Sequence, residues 1–140
     1  PISLCVALSM VLGGANDETK NELMSILELS FLIDSNTFKS NLKEIIEIFS
    51  TKNDEIEFIC SNSIWTKSQE LNEDFASNLQ KWFKAEIKPL QSSEEVEEWI
   101  SKSTKGKINS IGEIPDSTIM IILNAVYFKA IFENPFPAQN

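Results

Sequence analysis

The sequence has no histidine. That absence removes Ser-His-Asp and Cys-His catalysis and the common zinc sites. Glycine is scarce, at four residues, and no glycine-rich loop able to cradle a phosphate is present. Gly13 and Gly14 stand at the closing end of a predicted helix, the wrong end for an anion. Cysteine is limited to Cys5 and Cys60, with no Cys-x-x-Cys spacing. Two buried free thiols are the reading, and nothing asks for a disulfide. Basic charge is in the minority, with 12 Lys and Arg against 21 Asp and Glu and a net charge of −9. Such an acidic chain repels phosphate backbones and anionic lipid, which argues against nucleic-acid and membrane partners. No apolar run is long enough to span a bilayer comfortably. Asn-x-Ser/Thr acceptor sites are also absent, which is neutral on compartment.

What remains is an ordinary globular composition, 42% hydrophobic and 24% charged over 140 residues. That is enough apolar material for a core, in one domain or part of a larger one. The opening run from Pro1 to Ala15 reads as a buried helix, opened by Pro1 and Ser3 and closed by Gly13 and Gly14. An apolar run ending in small residues also fits a secretory signal, but the basic stretch that would precede it is not visible. Neither end resembles a natural terminus, so the chain reads as a piece of a longer one.

A second helix is predicted from about Asp17 to Leu27, capped by Asn16 or Asp17. Phe38, Leu42, Ile45, Ile46 and Phe49 recur at helical steps, with Lys39, Lys43, Glu44 and Glu47 elsewhere and Asp34 or Ser35 as the cap. Lys52-Asn53-Asp54 breaks that pattern. From Glu55 to Lys67 the period becomes two. Ile56, Phe58, Cys60, Asn62 and Ile64 face one way, and Glu57, Ile59, Ser61, Ser63 and Trp65 the other, both faces covered at least in part. Helix returns at Asn72, with Phe75, Leu79, Trp82 and Phe83 as its stripe. A short strand from Glu86 to Leu90 carries Pro89, which marks an edge or irregular piece. Another helix follows Ser92-Ser93, packing through Val96, Trp99 and Ile100 and ending near Gly106. The last element, Thr118 to Phe128, is apolar except for Asn124 and lacks alternation, so it is predicted to be a central strand buried on both faces.

Little in these residues can do catalysis. The acids Glu94 to Glu98 could be read as a metal or acid-base site, but acids in the first turns of a water-facing helix account for them better. Ser3 and the other serines have no histidine partner and no obvious lysine partner. Asn124 stands out because a carboxamide in an apolar strand is costly unless paired. It is either a satisfied core residue fixing strand register or a polar latch between the sheet and what packs beneath it.

Several segments together resemble the serpin family. They are Pro1-Ile2-Ser3 with Gly13-Gly14-Ala15 and Glu18-Thr19, Asn62-Ser63-Ile64-Trp65, and Trp99-Ile100 running into Thr104-Lys105-Gly106-Lys107-Ile108. The fourth is Leu123-Asn124-Ala125-Val126-Tyr127-Phe128-Lys129 followed by Phe132-Glu133-Asn134-Pro135-Phe136. The resemblance covers the whole chain, from the family's second helix to just past strand three of its main sheet. It implies an α+β fold, helices packed on a large, mostly antiparallel sheet that is incomplete here, as the N-terminal portion of a single serpin domain within 1–140. The three strands would join that sheet, and the helix near Glu94 to Ser103 would lie across its face.

The resemblance further implies an inhibitor of serine or cysteine proteases, not an enzyme. A protease cuts a reactive loop, which is not in this chain, and the loop inserts as a new strand beside Thr118 to Phe128. The alternative is a non-inhibitory carrier or chaperone-like serpin, or an inactive truncated one. Ser3 and Asn124 match positions that hold the sheet closed and let it open. The family usually has tryptophan where Phe132 stands and glycine where Ala130 stands; phenylalanine fills much of the same space, which places Phe132 in the packing of the insertion region. No metal or other cofactor is implied. Lys39 and Lys43 are offset by Glu44 and Glu47, so a sulfated polysaccharide is not expected. Extracellular action is expected, with the cytosol as the alternative.

Overall fold

The computed structural model of the protein describes residues 2–29, 35–50, 55–67 and 70–132. The opening at Pro1, the cap at Asp34, the break at Lys52-Asn53-Asp54 and the motif tail from Glu133 lie outside these residues. In chain order the elements are α1 (Ile2–Leu12), α2 (Asp17–Ile26), α3 (Ser35–Phe49), β1 (Ile56–Thr66), α4 (Glu73–Phe83), β2 (Glu86–Pro89), α5 (Ser93–Ser103) and β3 (Met120–Ala130).

The strands form one mixed sheet in the order β2-β1-β3. β1 and β2 are parallel, as expected for strands joined through a helix, and Ser63 to Thr66 of β1 face Glu86 to Pro89. β3 runs antiparallel to β1 along its whole length, with Ile56 opposite Ala130, Asn62 opposite Asn124 and Thr66 opposite Met120.

The pleat turns successive side chains to opposite faces, and each face has its own core. On one, Ile64 joins Val6 and Met10 of α1, Leu42 of α3, and Leu79 and Phe83 of α4, with Ile122 of β3 packed alongside. On the other, Trp65 joins Leu90 and Val96, Trp99 and Ile100 of α5, with Ile121, Leu123 and Ala125 of β3. The molecule therefore has three layers: α1, α3 and α4, then the sheet, then α5.

Local chemistry fixes the helix ends. Asn72 caps α4, its Oδ1 accepting from the amides of Asp74 at 3.0 Å and Phe75 at 3.2 Å. Ser92 caps α5 by accepting from the Glu95 amide at 3.3 Å. Glu94 sits in the first turn of α5, and hydrogen bonds from the backbone and from Ser92 hold its carboxyl below the ordinary value of 4.5. Asn16 takes the cap position of α2 without a side-chain cap bond. At the end of α1, a Cβ on Gly14 would come within 3.0 Å of the Phe75 ring, so glycine lets α4 approach this closely.

Two expectations change. Among the described residues β3 lies at the end of the strand order and β1 occupies the centre, and the residues of β3 are half-buried or exposed rather than buried on both faces. An unbroken apolar run reports cover on both faces; it carries no information about hydrogen-bonding neighbours on both edges. On α3, Lys39 is 8% exposed while Ile45 is 42% exposed, the reverse of their polarity. The opening run meets its expectation as a core helix, with Val6, Ser9, Met10 and Leu12 buried.

Candidate functional site

α1 lies across the face of the sheet beside β3, and its first turn brings Ser3 over the middle of that strand. The Ser3 hydroxyl donates to Oδ1 of Asn124 at 2.5 Å. The two residues singled out from the sequence are thus in direct contact across 121 positions of chain.

The contact does not stop there. Nδ2 of Asn124 donates to Oδ1 of Asn62 at 2.7 Å and to Sγ of Cys60 at 3.3 Å. Asn62 and Asn124 are register partners on adjacent strands, so their carboxamides meet on one face of the sheet. Nδ2 of Asn62 then donates to the backbone carbonyl of Phe83, at the last residue of α4, at 2.8 Å. A continuous polar relay crosses from α1 through β3 and β1 to α4.

Its surroundings make the relay consequential. Asn62 is 4% exposed and Phe83 5% exposed. In that environment each bond contributes about 1 kcal/mol net, but an orphaned donor or acceptor costs about 1–3 kcal/mol. Among the described residues, no buried side-chain nitrogen or oxygen lacks a partner. Burial pushes the Cys60 thiol above its ordinary value of 9.0, against the opposing pull of its bonds with Asn124 and Asn62. Cys5 and Cys60 are both free and half-buried.

The chemistry on offer is holding and releasing. A hydroxyl facing a carboxamide has no base to take its proton, so the Ser3 contact is no nucleophilic pair. Among the described residues no group of three or more His, Cys, Asp or Glu could hold a metal ion. No helix among them is long and apolar enough to cross a membrane.

The third singled-out residue stands apart. Phe132 lies just past the end of β3 and is 65% exposed. Asn62 was quoted only as the start of a family motif and not as a site residue, and the Phe83 carbonyl was not singled out. Asn62 carried the same signal as Asn124, a carboxamide on an otherwise apolar strand face, masked by the mixed polarity of β1. The Phe83 carbonyl is a backbone group and leaves no mark in sequence.

Comparison with known proteins places the chain. A family model described as "Serpin (serine protease inhibitor)" matches residues 1–140. Human Serpin B11 is 32% identical over 163 residues, spanning 99% of this chain and 42% of the relative. A leukocyte elastase inhibitor of Xenopus tropicalis is 28% identical over 152 residues, spanning 100% of this chain and 40% of the relative. Human thyroxine-binding globulin, solved in complex with thyroxine, superposes with a TM-score of 0.85 at 22% identity, covering 98% of this chain and 39% of that one. The chain therefore spans about two fifths of the length of the proteins it matches.

Proposed function

The chain belongs to the serpin family, and from that premise we propose that the protein carrying it inhibits serine-type endopeptidases by reactive-loop cleavage and strand insertion. Residues 1–140 are then part of a single serpin domain, and the catalytic groups are the protease's own. The observation that carries this reading is the bond from Ser3 to Asn124, which ties the helix beneath the sheet to β3. Strand insertion requires the sheet to part beside β3 and then close again. A bond made by short side chains on two rigid elements is suited to that: it is lost when β3 shifts and regained when it settles. Ser3 and Asn124 are the latch in this reading, and Asn62 extends it to α4. Phe132, at the end of β3, packs the region where insertion begins.

The proposed partner is a target serine protease, with cysteine proteases as further candidates. No cofactor enters the mechanism. Sulfated polysaccharide remains an unexpected partner, because Lys39 is buried and Glu47 pairs with Lys84 at 3.0 Å on the same stretch of surface. An extracellular site of action accompanies the reading, and assaying the medium of expressing cells separates it from a cytosolic one.

The test is incubation of the full-length protein with trypsin-, chymotrypsin- and elastase-type proteases. A covalent complex that survives denaturing electrophoresis is the expected result. Cleavage of the loop with no such complex from any protease, including papain-type enzymes, would mean a non-inhibitory carrier or chaperone-like serpin instead.

A further inference from the structure

The segment that follows α5 turns back along its own helix. Thr104, 2% exposed, donates to the Ile100 carbonyl at 2.8 Å, with the Ile108 carbonyl at 3.2 Å as the alternative acceptor, and accepts from the Ile108 amide at 3.0 Å. Ser101 donates to Oδ1 of Asn109 at 2.8 Å, and Nδ2 of Asn109 donates to the Gly106 carbonyl at 3.2 Å. Ser110 donates to Glu97. These bonds weld α5 and residues 104–110 into one unit. Toward the sheet, that unit has an apolar base of Val96, Trp99 and Ile100, with Ile114 beside them.

Two polar attachments join the same unit to the sheet at separate places. Nε1 of Trp99 donates to Glu86 of β2 at 2.9 Å. Lys105 makes the other, with its backbone in the left-handed region at φ 52°. Its ammonium lies 2.6 Å from Oε2 of Glu57 on β1 and 5.3 Å from the centre of the Tyr127 ring on β3. Glu57 is only 14% exposed on its side chain, which makes the pair stronger than an open surface bridge. A cation 5.3 Å from a ring centre is also within range of attraction to its face. Glu57 faces Lys129 and Tyr127 faces Ile59 in the ladder. One ammonium thus spans β1 and β3 on the α5 face, at the end of the ladder opposite Thr66 and Met120.

We propose that Lys105 is a positioning residue: a fastener that holds the α5 unit down on the sheet across β1 and β3. Its strength sets how readily that unit lifts off β3. The attachment is a single side chain reaching from a rigid body, so losing it frees one end while the apolar base and the Trp99 bond keep the other. Its bearing on inhibition rests on the strand-insertion reading above. A strand added beside β3 must fit under whatever covers that edge on the α5 face, so a looser fastener gives faster insertion.

The experiment is hydrogen–deuterium exchange on the longest natural chain that carries these residues, comparing it with Lys105→Met, Lys105→Arg and Glu57→Gln. Methionine keeps an unbranched apolar stem and removes the charge. Exchange over residues 104–112 is expected to speed up about three- to tenfold in Lys105→Met and Glu57→Gln, with residues 73–83 of α4 unchanged. Lys105→Arg is expected to restore the original rate. Unchanged exchange at 104–112, or equal acceleration in α4, would overturn the fastener. Protease-complex formation by the same proteins separates the two claims. No complex from the parent, together with faster exchange in the variants, removes the insertion reading and leaves the fastener standing. Complexes from the parent, with partition between complex and cleaved product identical in Lys105→Met, would overturn its role in insertion.

Discussion

At the scale of single residues, the relay has a direction. The Phe83 carbonyl can only accept, so Asn62 must turn its amide nitrogen there and its oxygen toward Asn124. Asn124 must then turn its nitrogen to Asn62, which leaves its oxygen for Ser3, and Ser3 must donate. Every member is oriented by one backbone oxygen. Asn62→Ala is expected to destabilise the protein by about 1–3 kcal/mol in urea unfolding. Asn62→Asp should cost more, since a buried carboxylate lacks the donor for Phe83 and meets the carbonyl with charge. A smaller loss for aspartate than for alanine would contradict the assigned polarity. Cys60 supplies a test of the site's burial. A folded thiol raised above 9.0 contributes stability that is present below that pH and is lost as pH rises through the folded value. At pH 8 native Cys60 should react with iodoacetamide more slowly than the unfolded chain does, as read by mass spectrometry of the alkylated peptide.

At the scale of elements, the helices and strands were largely legible because their signals are local. The period-two run in β1 and the period-3.6 stripe of α4 are set by neighbours a few residues away, and both elements fall within a residue or two of expectation. β3 was displaced by two positions. Thr118 is held in a turn by the Pro115 carbonyl, and the ladder runs on to Ala130 because Ile56 is there to pair with it. The far end of a strand is decided by its partner's length, which no single-strand pattern contains. Lys39 illustrates the same limit for helices: it is buried against local polarity because tertiary packing overrides the α3 stripe. The site was half legible. Asn124 announced itself as the one polar residue in an apolar run; its route onward through Asn62 to a carbonyl required the register. The end of α5 was readable in part, since the helix stops at Ser103 and Lys105, a non-glycine residue, already takes the left-handed region at φ 52° ahead of Gly106. Gly106 takes φ 74° and its amide reaches back to the Ser101 carbonyl at 2.7 Å. No atom lies within 4 Å of a Cβ placed there, so Gly106→Ala meets only backbone strain. A loss of about 1 kcal/mol is expected by thermal or urea unfolding. No change would mean the turn relaxes to another conformation.

At the scale of the whole molecule, one side is conspicuously apolar. Ile119 is 64% exposed, and Phe128, Ile131 and Phe132 are each 65% exposed, all at or near β3. Together with a strand edge that has no strand partner among the described residues, they make a surface ready for association. The isolated 140 residues are expected to self-associate at micromolar concentration, seen as growing light scattering on mild heating; a reversible, concentration-independent melt would refute this. The central place of β1 also has a consequence in time. Its ladder with β3 joins residues 54 to 74 positions apart, from Thr66–Met120 to Ile56–Ala130. At typical synthesis speeds, β1 leaves the ribosome roughly 3–15 s before its longest partner exists. Through that interval one edge of its eleven residues stands without its partner, even after α4, β2 and α5, which precede β3 in the chain, have been made, so the sheet has a period of vulnerability written into its strand order.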